Sequence, residues 1–194
     1  MREFKVQRKT AETTIEVELC LDGKGTATID TGIGFFNHML TLMAVHGKFD
    51  LMVKAQGDLD VDAHHTVEDV GICLGKALDG ALGNRSGINR YGSAKVPMDE
   101  ALAEVVIDLS RRPYLVYKVP PLREMIGAMP SELVPEFLRA FSQHGGVTLH
   151  AIVHYGSNSH HIVEALFKAL GKSLYIATRM EGFYHGIPSS KGAL

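Results

Sequence analysis

Tryptophan is absent from the 194 residues, and cysteine occurs only twice. Cys20 and Cys73 stand alone in apolar surroundings, which excludes a disulfide scaffold and a thiolate zinc site; both read as small buried hydrophobes. No charge of one sign prevails, with 20 Lys and Arg against 22 Asp and Glu. The chain therefore carries no overall electrostatic footprint for nucleic acid. No apolar run approaches the roughly 18 residues that a membrane span needs. The segment Met1 to Lys9 mixes Arg2, Glu3, Lys5, Arg8 and Lys9 with few apolar residues and lacks the apolar core of a signal peptide. These absences predict a soluble cytoplasmic chain with no nucleic-acid and no membrane partner. The rest is ordinary, 45% hydrophobic and 22% charged, enough for one large core or two smaller ones. One count stands out: ten histidines.

The chain repeats itself. Residues 64–78, HHTVEDVGICLGKAL, match residues 160–174, HHIVEALFKALGKSL, at eight of fifteen positions. Upstream, at a shift of 98 rather than 96, His46-Gly47 lies over His144-Gly145 and Leu51 over Leu149. A period this long points to a duplicated domain rather than a solenoid. The boundary is expected in the turn-rich stretch Asn84 to Tyr91, dividing the chain into 1–88 and 89–194.

Hydrophobic periodicity fills in each half. Ile15 to Leu21 alternates as a half-buried strand, and Asp22-Gly23 reads as a hairpin turn. A helix is expected over Gly34–Val45, a strand over Phe49–Ala55 and a helix over His64–Leu82. The second half gives strands at Ala103–Leu109 and Pro113–Val119, a helix over Glu132–Gln143, a strand over Val147–Tyr155 and a helix over His160–Leu174. The expected fold is α+β, a tandem duplication with helices covering one face of each sheet.

Both halves open their last helix with His-His-x-x-Glu. Residues three and four apart on a helix are neighbours, so Glu68 lies near His64 and His65, and Glu164 near His160 and His161. Adjacent helical residues diverge by about 100°, so the two histidines of each pair are expected to serve different ions. Imidazole and carboxylate without thiolate suit Mn, Fe, Co or Zn. At the 98-residue shift His38 falls opposite Glu136, and both are competent ligands, giving each half three or four donors. His46 and His144 end their helices, where an imidazolium meets the helix dipole favourably. His150, His154 and His185 read as structural or surface residues. Asp58, Asp60 and Asp62 read as helix-start residues or as partners behind the ligands.

Glu12 precedes a strand in a polar stretch. Arg90, Arg112, Lys168 and Lys191 are scattered cations able to meet a phosphate, and Ser189-Ser190-Lys191-Gly192 offers hydroxyls, a cation and a flexible glycine. Taken alone, the ligand pattern fits three classes: a metal-assisted lyase, a two-metal phosphatase, and a non-catalytic metal-storage shell.

The order of the motifs narrows this. Glu12-Thr13, Thr31-Gly32-Ile33, Asn37-His38-Met39-Leu40, Asp62 to Asp69, Gly87-Ile88-Asn89-Arg90, Pro97 to Ala101, Ser159 to Glu164 with Phe167-Lys168, and Pro188 to Gly192 together resemble the imidazoleglycerol-phosphate dehydratase family. The resemblance runs from about Arg8 to the last residue. It implies two tandem units of the ribosomal-protein-S5-domain-2-like type, each a mostly antiparallel sheet with two helices on one face. It implies two Mn²⁺ ions per site, with sites built between subunits of a 24-subunit shell. Ligation would fall to His38, His64, His65, Glu68, His160, His161 and Glu164, with Glu136 standing where the family often has His. Glu12 takes the acid–base position. Arg90, Arg112, Lys168, Ser189, Ser190 and Lys191, with His46, fall where the phosphorylated imidazole substrate is held, so the second half ends in a substrate-binding tail. The implied reaction removes water from imidazole glycerol phosphate through an imidazolate and a diazafulvene-like species, with Glu12 moving the proton. Three further positions depart from the family pattern: Asn37 and Ala63 stand where Asp is frequent, and Arg111 where Gly is usual.

Overall fold

The computed structural model describes residues 1–180 and 186–192; His185 lies outside them. The first half runs β1 (Glu3–Lys9), β2 (Thr13–Cys20), β3 (Ala27–Asp30), α1 (Gly34–Gly47), β4 (Asp50–Gly57) and α2 (His64–Leu82). The second runs β5 (Tyr91–Met98), β6 (Ala101–Asp108), β7 (Tyr114–Lys118), a small hairpin of β8 (Met125–Ile126) and β9 (Met129–Pro130), α3 (Leu133–Gly145), β10 (Thr148–Tyr155) and α4 (Ser159–Thr178).

The two four-stranded sheets have one topology, β1-β2-β4-β3 and β5-β6-β10-β7. In each, three strands are antiparallel and the last edge strand is parallel to its neighbour. This corrects the expected hairpin at Asp22-Gly23. β3 does not fold back on β2 but crosses to the far side of β4, because the Asp50 carboxylate accepts the N–H groups of Lys24 and Thr26 and draws the turn toward β4.

The registers extend the internal repeat into strands whose sequences have diverged. Phe4 pairs with Leu19 and Leu19 with Leu51; Gly92 pairs with Ile107 and Ile107 with Leu149. The early strands thus correspond at a shift of 88 (107 − 19), β4 and β10 at 98 (149 − 51), and the helices α2 and α4 at 96. The ten-residue difference accommodates the β8–β9 hairpin, which has no counterpart in the first half.

Alternation buries Thr13, Ile15, Val17 and Leu19 of β2, and Ala101, Ala103, Val105 and Ile107 of β6, against the helices. α2 packs on β1 and β2, and α4 on β5 and β6, while α2 crosses α3 and α1 crosses α4. Helices of both halves therefore fill the space between two sheets. Glycines permit these crossings: a Cβ on Gly75 would lie 2.7 Å from the Phe141 carbonyl oxygen and 2.8 Å from Gly145 N. Its counterpart Gly171 would meet the Met43 carbonyl oxygen at 2.4 Å and Gly47 N at 3.0 Å. Phe137 stacks on Phe141 and Phe167 and meets Phe36 edge-on at 5.3 Å, locking α1, α3 and α4 into one core. Truncating such a residue to Ala costs about 3–5 kcal/mol.

Side-chain hydrogen bonds fix the starts of the two His-His-x-x-Glu helices. Asn158 accepts the N–H groups of His160 and His161, and Asp62 accepts that of His64 at 2.7 Å, each satisfying orphan donors of a first turn. Between the halves, Arg85 is fully buried and donates to Asp79 and to the carbonyls of Gly145 and Gly146.

Candidate active site

The crossing of α1 on α4 decides which ligands meet. His38 belongs to the first half, yet its Nε2 lies 3.5 Å from Glu164 Oε2 of the second, and His160 Nε2 lies 3.0 Å from the same oxygen. The candidate ligand atoms of His38, His160 and Glu164 all lie within 4.8 Å of one another. This corrects the expectation that each half assembles its own donors. The Gly47–Gly171 contact brings α1 to α4, so the cluster joins the halves.

Glu164 is buried, and its other oxygen accepts from Lys168 Nζ at 2.6 Å. Burial works to raise its carboxyl, but the bonds from Lys168, His160 and His38 outweigh it and hold the group below the ordinary carboxylate value. Lys168 therefore sits in the ligand cluster. His46 lies two turns along α1, where burial first, and then Lys168 and Lys172, keep its imidazole less basic than usual.

The related set in the other crossing is looser. His64 Nε2 lies 3.8 Å from Glu68 Oε2, and Glu136 on α3 forms an ion pair with Arg139. Among the described residues these three do not converge as the first set does. His65 and His161 turn away from both clusters. His65 Nδ1 faces Asp58 at 3.0 Å and Glu12 at 3.8 Å, and the bond to Asp58 raises its basicity. His161 Nδ1 meets Glu100 at 2.7 Å, which raises it likewise. The divergence of adjacent histidines expected from helical geometry is present in both words.

Glu12 is half-exposed, with 55% of its side chain in solvent, and no described group donates a hydrogen bond to its carboxylate. A carboxylate so free can gain and lose a proton without dismantling a network.

The remaining candidates form a second group. A cavity of about 430 Å³ is lined by Arg90, Ser110, Arg111, Arg112, Ser189, Ser190 and Lys191, with Tyr91. Arg90 has φ of +70°, donates through Nε and Nη2 to Asp108 at 2.7 and 3.0 Å, and through Nη1 to the Pro188 carbonyl at 2.8 Å. This ties the tail to the sheet. Arg112 leaves 72% of its side chain exposed, so its guanidinium is available to an anion. Sequence reasoning missed Ser110, whose buried hydroxyl has no hydrogen-bond partner among the described residues, and Glu100. The register shift of 88 would have found Glu100, since it falls on Glu12.

The cavity and the ligand cluster lie at opposite ends of α4. The Arg90 N–H donates to the Ala177 carbonyl, whereas His160 opens the helix, so roughly 25 Å of helix separates them.

Residues 31–174 match the sequence profile of imidazoleglycerol-phosphate dehydratases. The chain belongs to the imidazoleglycerol-phosphate dehydratase family. It is 61% identical to the dehydratase of Syntrophobacter fumaroxidans, over all of this chain and 98% of that one. It is 56% identical to that of Acetivibrio thermocellus, over all of this chain and 99% of that one. Among solved structures, the Staphylococcus aureus dehydratase superposes with a TM-score of 0.84 at 38% identity, covering 92% of this chain and 99% of that one. The Pyrococcus furiosus enzyme gives 0.83 at 35%, covering 97% and 100%. Membership in the dehydratase family makes the chain an enzyme of the hydro-lyase class and bears out the duplicated α+β fold. No helix among the described residues is long and apolar enough to cross a membrane.

Proposed function

We propose that this chain dehydrates D-erythro-imidazole glycerol phosphate to imidazole acetol phosphate, a step of histidine biosynthesis, with two Mn²⁺ ions per site. The observation that carries this reading is the convergence of His38, His160 and Glu164 on one small volume. Two imidazole nitrogens and a buried carboxylate held ionised suit a borderline divalent cation. The second set would be His64, Glu68 and Glu136, with Glu136 supplying an oxygen where relatives often offer a nitrogen. His65 and His161, aimed away from their own clusters, would complete the sites of neighbouring subunits.

When bound, such a cation stabilises the deprotonated substrate ring as a Lewis acid. The chain supplies the remainder. Glu12 takes the proton from the carbon next to the one that loses its hydroxyl. Arg90, Arg112, Ser189, Ser190 and Lys191 hold the phosphate and so fix the reacting end. Lys168 keeps Glu164 ionised, and His46 stands behind it on α1.

A substrate of one imidazole ring and a three-carbon phosphate is far shorter than the roughly 25 Å between the cluster and the anion cavity of one chain. Productive sites therefore combine parts of different subunits, in keeping with a closed shell of 24. The test is turnover of imidazole glycerol phosphate by chelator-stripped protein before and after adding Mn²⁺. Formation of the ultraviolet-absorbing ketone on metal addition supports the reading. Release of inorganic phosphate would make the chain a phosphatase, and metal uptake without turnover would make it a storage shell.

A further inference from the structure

At the shift of 88 Glu12 and Glu100 are the same position of the repeat, each just before the second strand of its sheet. Each faces the second histidine of its His-His-x-x-Glu word. Their surroundings differ. Glu100 Oε2 accepts the Nδ1–H of His161 at 2.7 Å, while Oε1 accepts the N–H groups of Asn158 at 2.7 Å and Ser157 at 3.1 Å. Glu12 stands 3.8 Å from His65 Nδ1, because Asp58 already engages that nitrogen at 3.0 Å. The second half has no such substitute: Asp58 corresponds to Gly156 at the shift of 98, or to His154 at 96, and His154 is itself bound to Glu104.

We infer that the two equivalent carboxylates have taken different roles. Glu100 is a positioning residue that fixes the ring of His161, Asp58 does the same for His65, and Glu12 is thereby released for proton transfer. A ligating imidazole is oriented by the carboxylate that takes its other ring proton. With Nδ1 committed, His161 and His65 present only Nε2, the nitrogen that His38, His64 and His160 turn toward their own carboxylates. Asp99 lies 3.7 Å from His161 Nε2, beyond hydrogen-bond reach, and leaves that atom open. The inference rests on the metal reading above.

Mn²⁺ alone is the probe, titrated into the stripped, assembled full-length protein, with free ion read by electron paramagnetic resonance. Glu100→Ala and Asp58→Ala should each weaken one class of sites by about 10–100-fold and leave the other class unchanged. Glu12→Gln should bind Mn²⁺ like the parent while its turnover is lost. Glu100→Gln keeps an acceptor oxygen for the ring and should recover part of the affinity. If Glu100→Ala does not assemble, the comparison of Glu100→Gln with Glu12→Gln carries the test. Parental affinity in the Glu100 variants overturns the inference, as does an equal loss in Glu12→Gln. A parent protein that takes up no Mn²⁺ overturns the metal reading instead.

Discussion

Arg2 in the first half donates through Nε and Nη2 to Asp22 and through Nη1 to the Thr178 carbonyl. Arg90, its counterpart at the shift of 88, treats Asp108 and the Pro188 carbonyl in the same way. Both corners open onto a cavity, about 310 Å³ in the first half and 430 Å³ in the second. The residue beside the arginine separates them. Position 22 is Asp and its equivalent, position 110, is Ser; Gly23 and Lys24 become Arg111 and Arg112. Asp22 lines the first cavity, whereas no carboxylate lines the second, where the Ser110 hydroxyl has no partner among the described residues. The same division separates Glu12 from Glu100. Duplication preserved the strand registers and helix crossings, where every change costs packing energy, and allowed the corners to diverge.

The largest effect expected from this comparison is at Glu12. Glu12→Gln should lower kcat by about 10²–10⁴-fold, the usual worth of a positioned acid–base group, with an unchanged circular dichroism spectrum. A kcat within about threefold of the parent, far short of that range, would remove Glu12 from the chemistry. Next comes the corner. Ser110→Asp copies the first half into the second and sets a carboxylate against the substrate phosphate in a partly desolvated cavity, so KM should rise by about tenfold or more, with a smaller change in kcat. An unaltered KM would place the phosphate elsewhere.

Much of this is legible in the residues alone. Both His-His-x-x-Glu helices, the aspartates at the start of the first, and the correspondence of His38 with Glu136 by position follow from periodicity and internal repetition. The partner of His38 does not. Which helix α1 packs against depends on Gly47 and Gly171 meeting across the halves, and no local pattern encodes a contact between distant segments. β3 escapes for a related reason: four residues with a turn before them look like a hairpin return, and only the Asp50 carboxylate redirects them. Glu100 is hidden because the inserted β8–β9 hairpin changes the shift from 88 to 98, so a search at the later value passes it by.

The glycine crossings offer a smaller, symmetric test. Gly75→Ala and Gly171→Ala should each destabilise by about 1–3 kcal/mol, the usual cost of overpacking, measured by urea unfolding. The Gly171 variant should also loosen metal uptake, since that crossing aligns His38 with His160. Equal metal affinity in the two variants would break that link.

The smallest effect concerns the helix-end imidazoles His46 and His144. Burial, followed by nearby lysines and, for His144, Arg8, holds both below their ordinary value of 6.5. The unfolded chain then binds protons more readily, so stability is complete above about 6.5 and declines as pH falls through that value toward the folded ones. His46→Gln with His144→Gln should flatten this slope between about pH 7 and 5 in denaturant titrations. An unchanged slope would assign it to other groups.

Arg85 has a consequence for how such a chain can be divided. Its guanidinium sits in the first segment, but two of its acceptors, the carbonyls of Gly145 and Gly146, are in the second. A polypeptide cut after residue 88 would leave that guanidinium with Asp79 but without its two carbonyl acceptors, and a helix layer bare to water. The faces of α1 and α2 that α4 and α3 now cover would lie open, so each segment of the chain serves as the lid the other requires.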